Sequence, residues 1–183
     1  MMTASDASAA VRPPLAAIAV LSAAALGYEI LLTRLFSIVL WHHFAYMLIS
    51  VALLGYGAAG TCAALARGVL LARYAQVFVA SAAAFGIFAV TSFLLAQGVA
   101  FNPLELAWDP RQPLRLLAIY MLLFVPFFCA AFALCLTFTR FGEASHRIYS
   151  FDIIGAGAGS LAILLALFAV TPTDALKLIG TLG

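Results

Sequence analysis

In this chain of 183 residues, 66% are hydrophobic and only 9% charged, and the mean hydropathy of +1.15 lies outside the range of water-soluble domains. The nine basic and seven acidic residues leave a net charge of +2. The basic residues stand singly or in pairs between apolar runs, which excludes a nucleic-acid-binding patch.

Residues 1–13 form a small, polar N-terminal segment. The apolar run after Pro13 and Pro14 outlasts a signal-peptide core and ends in no small-residue cleavage site, so a retained helix is expected. A hydrocarbon core about 30 Å thick needs about 20 apolar residues of helix. Residues 14–171 supply five such runs, at 15–40, 44–66, 74–97, 116–139 and 148–170. They are continuous and rich in Ala and Leu, whereas barrel strands are about ten residues of alternating polarity. An all-α, polytopic transmembrane helix bundle of about five helices is predicted.

The connections are short except at 98–114, where Pro103, Pro110, Pro113, Asp109 and Arg111 predict an irregular loop with Trp108 at headgroup level. Pro126, inside the fourth run, removes a backbone donor and predicts a kink. Cys62, Cys129 and Cys135 lie in apolar stretches without CxxC spacing or a histidine in register, so they read as buried small apolar residues.

Arg12, Arg67, Arg73, Arg140 and Arg147 fall on the side of the N-terminus. The other side has Arg111, Arg115 and Lys177, offset by Glu105, Asp109 and Asp174. The positive-inside rule then puts the N-terminus in the cytoplasm, and the alanine-rich composition points to a bacterial inner membrane. Residues 172–183 read as a short outer tail, or as the start of a continuation towards a sixth helix in a longer protein.

Two glycine clusters invite a nucleotide-binding reading. Gly55-Tyr-Gly57-Ala-Ala-Gly60 matches the dinucleotide fingerprint letter for letter, but it lies inside an apolar helix and the next acid is Glu105. Asp152-Ile-Ile-Gly155-Ala-Gly157-Ala-Gly159 is similar in outline to the acid-and-glycine loop of S-adenosylmethionine-dependent transferases, yet an unbroken apolar helix follows it. All six glycines are therefore expected to let helices approach closely.

Charges inside membrane helices are rare and costly, which makes Glu29, Arg34 and Asp152 the candidate functional residues. At 1.5 Å per residue Glu29 lies about 20 Å and Arg34 about 30 Å along helix one, and Asp152 about 6 Å along helix five. Asp152 is thus expected near Arg147 or Arg73, and Glu29 near Thr33, one turn along its own face. These charges serve either as polar glue between helices or in a substrate or proton role. His42 and His43, adjacent and facing different directions, make a poor metal pair, and with His146 they read as interfacial hydrogen-bonding groups. No catalytic, cofactor-binding or metal site is expected, and the partners are the lipid bilayer and other transmembrane helices.

The stretch Gly27-Tyr-Glu29-Ile-Leu-Leu-Thr-Arg34-Leu-Phe-Ser37, followed by His43-Phe-Ala-Tyr-Met-Leu-Ile-Ser50-Val-Ala-Leu-Leu-Gly55-Tyr-Gly57, resembles the opening of membrane-embedded spermidine synthase-like proteins. Pro126-Phe-Phe and Tyr149-Ser-Phe-Asp152-Ile-Ile-Gly155-Ala-Gly157-Ala-Gly159 are similar to recurring segments of the same membrane region. The resemblance implies a multi-helix region that accompanies a soluble aminopropyltransferase-like domain of Rossmann type, a domain these residues do not contain. This chain would then be an anchor or substrate conduit. The alternatives are a non-enzymatic structural or assembly subunit of a larger complex, or a transporter fragment.

Overall fold

The structure, a computed structural model, describes residues 12–39, 42–106 and 108–169. Six helices and no strand occur among them. They are α1 (Leu15–Val39), α2 (His42–Leu65), α3 (Arg67–Ala72), α4 (Tyr74–Gln97), α5 (Arg111–Arg140) and α6 (Ser145–Ala169). All but α3 are long and apolar enough to cross a membrane, so the architecture is the expected all-α bundle and fits a multi-pass membrane protein. The expected tail and most of the N-terminal segment lie outside the described residues.

One added helix and two helix starts differ from the sequence expectation by more than two residues. The connection at 67–73 contains a short helix, α3, set off by backbone breaks at Ala66 and Arg73. Helix α5 begins at Arg111 rather than 116, because Asp109 Oδ1 accepts the Arg111 N–H at 3.0 Å and Pro113 falls in the first turn, where no backbone donor is needed. Helix α6 starts at Ser145, straight after a 3₁₀ turn at Gly142–Ala144. Helix α5 runs on through the buried Pro126.

Helices α1 and α5 bury half of their spanning windows and α6 only 17%, so α6 is peripheral. Its inward side rests on α1, while α2 and α4 both pack on α5. Lipid tails are as apolar as leucine, so burial alone does not hold such helices together; close packing and interhelical hydrogen bonds do. The centre shows both. The Tyr28 ring on α1 stands 6.0 Å from Phe85 on α4, edge-on, and 5.4 Å from Phe127 on α5. Its buried hydroxyl shares a 3.3 Å hydrogen bond with Ser92 on α4. At the far end of α4 and α5, Tyr74 meets the Thr137 hydroxyl at 3.0 Å.

The six glycines divide by face. A Cβ at Gly155 would stand 2.6 Å from the Ala19 Cα, and one at Gly159 2.5 Å from the Ala23 Cα, so α6 and α1 touch backbone to backbone through Gly-x-x-x-Gly on Ala-x-x-x-Ala. The register rises together on both helices, so they run parallel. Gly55 is similarly pressed between α2 and α5, a Cβ there lying 2.9 Å from Phe127 Cβ and 3.0 Å from the Phe128 nitrogen. Gly60 meets only Cys135 Sγ at 3.9 Å, an ordinary contact. Gly57 and Gly157 correct the expectation: nothing of this chain lies within 4 Å of a Cβ at either, because both turn to the exposed side of their helix. Cys62 is likewise exposed rather than buried, and Cys129 and Cys135 are half-buried.

Candidate functional site

Glu29 belongs to a polar stripe along one side of α1, to which α6 brings Asp152, while Arg34 stands about 140° around the helix from Glu29. Ser22, Glu29, Thr33 and Ser37 recur at i, i+7, i+11 and i+15, which on a helix of 3.6 residues per turn puts them within a sector of about 80° over about 22 Å of axis. This polar stripe faces the junction with α2 and α6.

At one end the Ser22 hydroxyl donates to Asp152 Oδ1 on α6. Asp152 is therefore not held by Arg147 or Arg73, as its position in the sequence suggested. The α1–α6 seam at Gly155 and Gly159 is so tight that a half-buried Asp152 finds its partner across it, whereas both arginines are exposed. Tyr56 on α2, not singled out from the sequence, lies within electrostatic reach of both Asp152 and Glu29. The Thr33 hydroxyl donates to the backbone carbonyl of Glu29 at 2.8 Å, not to its carboxyl group. Serine and threonine in a helix commonly satisfy themselves in this way, one turn back. The half-buried Glu29 carboxyl has no hydrogen-bond or ion-pair partner among the described residues.

Towards the C-terminal end of α1 the helices part and leave a lateral groove of about 490 Å³. Glu29, Thr33, Arg34, Ser37 and Tyr46 form its polar lining, and Leu26, Ile30, Ile49, Leu164 and Leu167 its apolar walls. Arg34 is exposed and makes no ion pair among the described residues. Glu29 and Arg34 are thus brought to one groove, with Asp152 a few turns away at the other end of the stripe.

A second polar cluster went unread in the sequence. Gln112, fully buried at the start of α5, accepts the Asn102 N–H at 3.1 Å and donates to Glu105 at 2.9 Å and Asp109 at 3.2 Å. Asn102 Nδ2 donates to Glu105 at 2.9 Å, and Arg115 donates to the Ala100 carbonyl at 2.8 Å. The expected irregular loop is thus an ordered knot, with Trp108 exposed on it. The available signal was a glutamine flanked by Pro110 and Pro113 and preceded by two acids, Glu105 and Asp109.

The His42 and His43 side chains lie outside the described residues, and His146 is exposed near the start of α6. Among the described residues no group of three or more His, Cys, Asp or Glu is placed to hold a metal ion. Within the stripe Ser22 reaches the Asp152 carboxyl group, whereas the Thr33 and Ser37 hydroxyls donate to the backbone carbonyls of Glu29 and Arg34.

Fold and site define an α-helical protein whose five long apolar helices fit a multi-pass membrane protein. No protein-family model, curated protein or solved structure matches the chain.

Proposed function

We propose that this chain is the membrane region of a spermidine synthase-like protein, lying in a bacterial inner membrane with its N-terminus in the cytoplasm and serving as anchor or substrate conduit. The observation that carries the conduit is the Glu29 carboxyl on the polar stripe, without a partner among the described residues, between Asp152 at one end and the groove at the other. A carboxyl held inside a membrane bundle without a structural partner is costly, and function is the usual reason for keeping one. Of the four segments on which the resemblance rests, those on α1, α2 and α6 border this junction and Pro126-Phe-Phe lies on α5, away from it.

The test is flux in proteoliposomes. Labelled spermidine or a proton gradient should cross faster than in protein-free vesicles, and Glu29→Gln should reduce the excess to background. Equal flux in wild type and Glu29→Gln would remove Glu29 from any path. For the anchor, the reading frame beyond Gly183 should encode an aminopropyltransferase-like domain; an immediate stop codon counts against it.

A second reading, a non-enzymatic subunit of a larger membrane complex, is favoured by α6, whose exposed side carries Ile154, Leu161, Leu165 and Phe168 along with Gly157. Purification in mild detergent distinguishes the two. Stoichiometric partner chains without polyamine-dependent activity support the subunit, and a lone multidomain polypeptide supports the anchor.

A further inference from the structure

The groove beside α1 has a chemistry that the conduit does not use. Its lining includes the Arg34 guanidinium, which makes no ion pair among the described residues and stands five residues, or about 7.5 Å of helix axis, beyond Glu29. It extends from Leu26 to Ser37, about 16 Å of helix, close to half of a hydrocarbon core about 30 Å thick. With these helices spanning a bilayer, a groove of that length would match about one leaflet. A transmembrane partner helix with an apolar face would seal Arg34 and Glu29 away from water with nothing to pair them, a heavy penalty.

We propose that the groove seats one anionic phospholipid of the leaflet at the C-terminal end of α1. Its phosphate is forked by Arg34, and an acyl chain starts along Leu26, Ile30 and Leu167. The guanidinium matches phosphate oxygens in pairs, and its long stem lets it rise to phosphate level. A volume of about 490 Å³ falls within the range of about 300–1,000 Å³ typical of ligand pockets. This proposal stands on the groove alone and does not depend on polyamine chemistry.

The test is native mass spectrometry of the chain purified in mild detergent, with phosphatidylglycerol, phosphatidylcholine or inorganic phosphate added. Wild type should retain phosphatidylglycerol several-fold better than phosphatidylcholine, and millimolar inorganic phosphate should not displace it. Arg34→Gln should lower phosphatidylglycerol retention about tenfold and Arg34→Lys far less, as expected for a charge-assisted contact to phosphate. Leu167→Trp, which fills the groove without changing charge, should lower retention of both lipids at unchanged helix content. Equal phosphatidylglycerol retention in wild type and Arg34→Gln overturns the proposal, and so does displacement by inorganic phosphate alone. Should Arg34→Gln fail to fold, undiminished retention by folded Leu167→Trp overturns it equally.

Discussion

Replacing Gly159 by alanine puts one methyl group into the tightest seam of the bundle. The new carbon would stand 2.5 Å from the Ala23 Cα, about 1 Å inside the optimum of about 3.5 Å for two carbon atoms. The obstacle is backbone, so no side-chain rotation relieves it, and α6 must back away from α1 by about that distance. Overpacking of this kind costs about 1–3 kcal/mol, offset by about 0.5–1 kcal/mol because alanine forms helix better than glycine. The net loss is about 1–2 kcal/mol, and Gly155→Ala, against the Ala19 Cα at 2.6 Å, should behave alike. Because both glycines sit in one seam, separation forced at one site makes room at the other, and the double variant should cost less than the sum of the two. Gly157→Ala is the internal control: the same change on the same helix with nothing within 4 Å should be neutral or slightly stabilising. Reversible unfolding in mixed micelles, followed by circular dichroism, reads all four variants. A Gly157→Ala loss as large as that of Gly159→Ala, or fully additive costs at 155 and 159, would refute a backbone-contact seam.

The same assay should separate Gly55→Ala, which drives a methyl to 2.9 Å from Phe127 Cβ and loses about 1 kcal/mol, from Gly60→Ala, whose nearest neighbour is a sulfur at 3.9 Å and which should be nearly silent. Ser22→Ala takes the hydroxyl from a half-buried Asp152 and should cost about 1–3 kcal/mol, whereas a cost within 0.3 kcal/mol of zero, about the scatter of such measurements, would show that the bond is not made. Gln112→Leu removes an amide that organises residues 102–109 and leaves the Asn102 N–H and two carboxylates without it, an expected loss of about 2–4 kcal/mol with faster proteolysis between 98 and 110. Unchanged proteolysis in that variant would mean that the knot is held from elsewhere.

Length and hydropathy made the helices legible, since about 20 apolar residues have few ways to satisfy their backbone in lipid except as helix. The span at 74–97 was read to the residue, because Arg73 and Gly98 punctuate it clearly. The start of α5 was missed because prolines and charges look like loop until the Asp109 cap and the Gln112 bonds are seen. At the site, Glu29, Arg34 and Asp152 stood out by their cost in a membrane, but Tyr56 and Ser22 did not, being ordinary residues on apolar helices.

What the sequence alone determined is therefore one-dimensional: which segments are helical, and which few residues carry charge among them, because both follow from the transfer of each residue into lipid. Which faces meet was decided only by the tertiary structure. Glycines 55, 155 and 159 differ from 57 and 157 not in chemistry but in the helix they happen to face. The same holds for Asp152, whose partner across a parallel helix, Ser22, is 130 residues distant along the chain. A helical period places residues on a stripe, but only packing between helices says what lies opposite.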